Sequence, residues 1–153
     1  MSTNTRGSMI PTAAVIVAMA FGVAAVTAQS DPIAARQALM KTNGKQAKLG
    51  SDMIRGKVRF DLDNAKAIFL SFIDAANKMP NLFPENSKTG GDTSAAPEIW
   101  ANMDDFKARF AKLAADSKAA LETVKDRESF TAAYRNVNRT CDGCHEHYRV
   151  KKS

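Results

Sequence analysis

Near the C-terminal end of this chain, Cys141-Asp142-Gly143-Cys144-His145 brings two thiols and an imidazole into five residues. On a helix, positions 141, 144 and 145 stand at i, i+3 and i+4 and share one face. This is the C-x-x-C-H spacing of covalent haem attachment. Two thiols so placed can add to the two vinyl groups of a haem edge, and the imidazole that follows sits beneath the iron. Cys141 and Cys144 are therefore read as the attachment points of one haem c, and His145 as an axial ligand of its iron.

Three rival chemistries fit these residues less well. Cysteines in an exported protein usually pair, but a bridge closing so short a loop contributes little stability. A structural zinc site needs four ligands, and the chain has no third cysteine. A redox dithiol of the C-x-x-C type usually accompanies a βαβ pattern, which the sequence lacks. His147, two residues beyond His145, turns off the shared face and reads as a solvated side chain.

What lies on the other side of the iron decides the function. A thioether there closes the coordination shell and suits electron transfer, whereas an apolar residue leaves room for a small gas. Beyond the N-terminal segment the chain offers Met40, Met53, Met79 and Met103. Met40 lies on the apolar stripe of the first helix, while Met79 and Met103 flank a long loop. Arg36, one turn before Met40, shares its face and could meet a haem propionate. Gly44, one turn after it, costs a helix about 1 kcal/mol relative to alanine. Either a planar cofactor or a close helix crossing would account for it.

These residues must be held by helices, and four are legible in the apolar periodicity. Asp31 as N-cap and Pro32 at the first position open a helix that fades near Gly56. Its stripe is Ile33, Gln37, Met40, Gly44, Ala47 and Ile54. A second runs from about Asp61 to Met79, stopped by Pro80. Residues Pro80–Trp100 carry three prolines and Gly90-Gly91, which predicts a loop unusually long for a helix–helix connection. A third helix is expected from about Asn102 to Asp126, and a fourth from Arg127 to about Val150. Along the fourth, Phe130, Tyr134, Val137, Cys141, Cys144 and Tyr148 form one stripe, so the haem is expected inside the bundle. The fold class is all-α, an antiparallel four-helix bundle enclosing a covalent haem.

The N-terminus sets the compartment. One basic residue, Arg6, precedes an uncharged apolar run from Met9 to Val26, and Val26-Thr27-Ala28 offers small residues at the cleavage positions. Residues 1–28 are thus expected to be a secretory signal peptide rather than a membrane anchor, and residues 29–153 the mature domain of a periplasmic protein. The 22 basic residues, less Arg6, stand against 16 acidic ones, a net charge of +5 after cleavage. That suits an acidic redox partner protein or simple solubility. Basic residues look scattered apart from Lys151-Lys152, so neither nucleic-acid binding nor stable membrane insertion is expected.

A haem motif near the C-terminus, after four helices, resembles the class II cytochromes c, the cytochrome c-prime family. The resemblance spans essentially the whole mature chain. It is carried by Arg36-Gln37, by Gly90-Gly91-Asp92 with Pro97-Glu98-Ile99-Trp100, and by Cys141 through Arg149. In that family the distal residue is usually apolar. Alignment on Arg36-Gln37 puts Met40 there, and Leu39-Met40-Lys41 with Asn43-Gly44 resembles the low-spin cytochrome c-556 branch, in which methionine ligates the iron. The resemblance implies Met40 and His145 as axial ligands, Arg36 near a propionate and Arg149 near His145. A shift of one residue would put Leu39 at the distal position and favour binding of nitric oxide or carbon monoxide. Trp100 either covers the cofactor or anchors the loop. Family members often dimerise through their first two helices, and the sequence leaves a homodimer open. The expected role is electron carriage without bond chemistry; a haem peroxidase is disfavoured because no distal acid–base histidine is evident.

Overall fold

The computed structural model describes residue 1 and residues 31–150. The signal-peptide reading of residues 1–28 and the Lys151-Lys152 pair lie outside these, apart from Met1. Four long helices build the fold: α1 (Pro32–Ile54), α2 (Leu62–Lys78), α4 (Met103–Thr123) and α5 (Arg127–Tyr148), with a one-turn α3 (Glu98–Ala101) before α4.

Each long helix starts where its sequence supplies a cap or a matching charge. Asp31 Oδ1 accepts the Ile33 N–H at 2.9 Å, with Pro32 pre-set for the first turn. Asp61 accepts from Asn64 N–H at 2.8 Å to open α2. Asp104 and Asp105 place negative charge in the first turn of α4, where the helix dipole favours it. Asp126 and Ser129 form a reciprocal capping box for α5. That box explains why α4 ends at Thr123 and not at Asp126: the chain must be extended at Val124 for Asp126 to cap the next helix.

The connection after α2 is more ordered than a plain loop. Pro80 ends the α-helix, yet the chain continues as a 3-10 turn over Met79–Leu82 and another over Glu85–Ser87. It then pins the segment that follows α5. Ala96 N–H donates to Tyr148 C=O at 3.1 Å and Val150 N–H to Ser94 C=O at 2.9 Å, an isolated antiparallel bridge between Ala95 and Arg149. This bridge draws the backbone out of helical geometry after Tyr148, two residues short of the expected end.

Helices α4 and α5 run antiparallel, as side-chain pairs along them show. Asp116 meets Thr140, Arg109 meets Gly143 and Asp105 meets Tyr148, so one number falls as the other rises. Phe69, Phe130, Ile68, Met53 and Val137 are the heart of the core, each 0–1 % exposed. Each such side chain contributes about 1.5–3 kcal/mol by leaving water. The stripe of α5 is as expected, with Phe130, Tyr134, Val137 and Tyr148 buried. The stripe of α1 is not: Arg36, Gly50, Asp52 and Met53 are its buried residues, while Gln37 and Gly44 are exposed.

Candidate cofactor site

The discrepancy in α1 has a simple cause. Gln37, Met40, Gly44 and Ala47 line an open cavity of about 600 Å³ that extends to Cys141, Cys144 and His145 on α5. The periodicity of α1 therefore records a surface turned toward a large void. Such a volume is within the range of a bound cofactor. Phe72, Phe110 and Leu113 contribute apolar wall from α2 and α4.

Both cysteines are free and half-buried on this wall. Burial, reinforced by Asp142 and by the neighbouring Cys144, pushes the Cys141 thiol up to about 11. Burial also raises Cys144, against the opposing pull of Arg109. His145 is reached by solvent at the cavity mouth, yet enough protein surrounds it that burial, then the charge of Arg149, lowers its pKa. Arg149 thus lies close enough to His145 to act on its charge, and it lines the same cavity. His147 is exposed, its Nδ1 3.1 Å from the Gly143 carbonyl.

Arg36 also lines the cavity, but most of its donors are committed elsewhere. Its Nη1 donates to Leu82 C=O at 3.2 Å and Ser87 Oγ at 3.1 Å. Its Nη2 donates to Ser87 C=O at 3.0 Å and Thr93 Oγ1 at 2.6 Å. A guanidinium has five N–H donors, so the Nε–H is what remains for a further acceptor. The group also lies 4.7 Å from the Phe83 ring centroid. In this structure Arg36 fastens α1 to the long connection. Trp100 does similar work, giving its indole N–H to Phe83 C=O at 3.0 Å.

Of the four methionines, Met40 and Met79 line the cavity, whereas Met53 and Met103 do not. Leu39 does not line it either; it packs against the apolar core. Met79 borders the loop in the sequence, and the 3-10 turn after α2 is what brings it to the wall. It is 2 % exposed and held within the core cluster, while Met40 is half-buried.

Sequence reasoning also missed a polar brace from α4. Arg109 Nη1 donates to Gly143 C=O at 2.9 Å and its Nε to Asp105 Oδ2 at 2.7 Å. Tyr148 Oη donates to that same Asp105 oxygen at 2.5 Å. The brace therefore grips the motif segment on both sides of Cys144 and His145. The Asp105–Arg109 spacing is legible as an i,i+4 pair, but its reach to α5 is not.

Two observations test whether the cavity suits a planar, covalently held group. A Cβ built on Gly44 would have nothing within 4 Å, so no close helix crossing explains that glycine. Beside it, Asn43 Oδ1 is buried with no partner among the described residues. Buried polar atoms are rarely orphaned, and the residue that carries this one is part of the cavity wall. An apolar cavity with two thiols and an imidazole on one wall fits haem c. Among the described residues no group of three or more His, Cys, Asp or Glu side chains gathers as a metal cluster would.

A family model described as Cytochrome C' matches residues 31–149. A cytochrome c' of Rhodopseudomonas palustris is 41 % identical over 94 % of this chain and 97 % of its own length. A cytochrome c-556 of Agrobacterium tumefaciens (strain II Chrys) is 36 % identical over 76 % of this chain and 95 % of its own. The solved cytochrome c' of R. palustris superposes with a TM-score of 0.79 at 42 % identity, covering 82 % of this chain and 100 % of that one. An oxidised cytochrome c556 of R. palustris does so at 0.75 and 28 % identity, with the same coverage.

Proposed function

The chain belongs to the cytochrome c' family, whose members carry haem c, and from that premise we propose that it is a periplasmic electron carrier in which His145 and Met40 would ligate the haem iron. When bound, haem supplies an iron that takes up and releases one electron. Everything else is the task of this chain. Cys141 and Cys144 hold the group to α5, and His145 offers its imidazole from the same face. The apolar wall from α2 and α4 would shield one side of the group from water, which limits reorganisation when charge changes.

The observation that carries the closed-shell reading is the register of α1. Both Leu39 and Met40 pack against the core, but only Met40 lines the cavity. Met79 also reaches the wall, but its side chain is already committed to packing around the end of α2. The apolar run before residue 28 supports export. Among the described residues no helix is long and apolar enough to cross a membrane.

A second reading keeps the same haem with an open distal face that binds nitric oxide or carbon monoxide. Its support is the relative at 41 % identity named cytochrome c', since the distal residue in that family is usually apolar. Optical spectra of the purified protein separate the two. A low-spin oxidised spectrum with the weak red band of methionine–iron ligation is expected. A high-spin spectrum with ready carbon monoxide binding on reduction would overturn it in favour of the second reading.

A further inference from the structure

The basic residues that look scattered along the sequence are concentrated in the fold. Residues 32–60 carry seven basic side chains against Asp52 alone, a net of +6. Residues 61–150 carry twelve basic and fourteen acidic side chains, a net of −2. Helix α1 and the turn after it therefore hold more than the whole positive excess of the described domain.

Of those seven, Arg36 is buried and the other six are exposed. Lys41, Lys45 and Lys48 stand at i, i+4 and i+7, one stripe of the helix surface. Arg55 extends the basic surface, so it runs along about 20 Å of helix. Elsewhere among the described residues four of the twelve cations are ion-paired, Lys78 with Asp74, Lys88 with Glu85, Arg109 with Asp105 and Lys112 with Asp116, and the fourteen acidic side chains of that region balance the rest. On α1 and the turn after it, Lys48 and Arg55 share Asp52, while Lys41, Lys45, Lys57 and Arg59 have no ion-pair partner among the described residues. The stripe also borders the cofactor cavity, because Lys41 is itself part of the cavity wall beside Met40.

We propose that the α1 stripe Lys41–Lys45–Lys48, continued by Arg55, Lys57 and Arg59, is the docking surface for an acidic partner protein that exchanges electrons at the cavity mouth. This rests on the electron-carrier reading. Unpaired like charges on one face cost stability through self-repulsion unless an opposite surface meets them. A one-signed patch also speeds encounter by about ten- to a thousandfold at low ionic strength, an effect that salt removes. Weak redox encounters need only a small footprint, and one helix face beside the redox group supplies it.

The test uses the haem-loaded protein, labelled with nitrogen-15 and titrated with hexaglutamate as a stand-in for an acidic surface. Amide shifts concentrated in residues 41–59 and abolished by about 0.3 M salt are expected. Shifts spread evenly over the bundle, or binding to phosphatidylglycerol vesicles without any such footprint, would overturn the proposal. In parallel, oxidation of the reduced protein by hexacyanoferrate(III) is followed in two triple variants. Lys41→Glu/Lys45→Glu/Lys48→Glu should slow it about tenfold or more and invert its salt dependence. Lys107→Glu/Lys118→Glu/Lys125→Glu, the same change of net charge on and just after α4, should alter it only a few-fold. An equal fall in both would show that net charge alone matters and would reject the stripe. If exchange is slow in every protein while the hexaglutamate footprint persists, the docking surface stands and the carrier reading falls.

Discussion

The ring of Tyr134 occupies the place where a side chain of residue 50 would be. A Cβ on Gly50 would sit 2.4 Å from Tyr134 Cε2 and 2.9 Å from Cδ2. The ring cannot swing away freely, because its hydroxyl donates to Ala47 C=O at 2.5 Å and the residue is 7 % exposed. Gly50→Ala should therefore destabilise the bundle by about 1–3 kcal/mol through overpacking, outweighing the helix propensity that alanine gains. Urea unfolding of the two proteins measures it. Unchanged or increased stability would mean that α1 and α5 are not this close.

Gly44 gives the opposite expectation, and one that depends on the cofactor. With nothing within 4 Å of its missing Cβ, Gly44→Ala should stabilise the haem-free chain by about 0.5–1 kcal/mol. In the haem-loaded protein the same methyl group should cost stability and disturb the optical spectrum. An equal gain in both forms would show that the cofactor does not approach this turn.

Met40→Ala should turn a low-spin spectrum into a high-spin one that binds carbon monoxide when reduced. Met79→Leu, which keeps the wall apolar, should leave the spectrum alone. If the second variant converts and the first does not, the sulfur ligand comes from the end of α2.

The clamp made by Arg36 is tested by Arg36→Lys. Lysine has three donors on a compact head and cannot fork across Ser87, Thr93 and Leu82 at once. A loss of about 2–4 kcal/mol is expected, with faster proteolysis between residues 80 and 93. Cleavage at the wild-type rate would mean that this connection holds itself.

Acid and base should both weaken the brace beside the motif. The Tyr148 hydroxyl, then Arg109, holds Asp105 below the usual carboxylate range. Its contribution is present above the unfolded value and is lost as pH falls through the folded one. Hydrogen bonding to Asp105, with burial, raises Tyr148 above its usual value. Its contribution is complete below the unfolded tyrosine value and is lost as pH rises through the folded one. Tyr148→Phe should flatten both limbs of a stability–pH curve, and identical curves would remove the brace from the account.

Much of this was legible because the residues concerned act locally. Asp31, Asp61 and Asp126 cap the helices they precede, Pro80 stops the one it follows, and the C-x-x-C-H spacing puts two thiols and an imidazole on one face whatever the rest of the chain does. What escaped depends on contacts distant in sequence. The partners of Arg36 lie 46 to 57 residues away, and nothing near residue 36 announces them. The α1 stripe looked like core because apolar and small residues facing a cavity have the same period as residues facing protein. Gly50 passed unremarked, since the ring that requires it is on the last helix.

The two fastenings of α1 leave a span between them. Arg36 ties one end to the long connection, and the hydroxyl of Tyr134 ties Ala47 to α5, about 16 Å further along. Residues 40, 43 and 44 lie between these ties and face open space. Fixing both ends helps to set how far α1 stands from α5, so the width of the gap beside residue 40 is governed in part by two hydrogen-bonded ties made outside it.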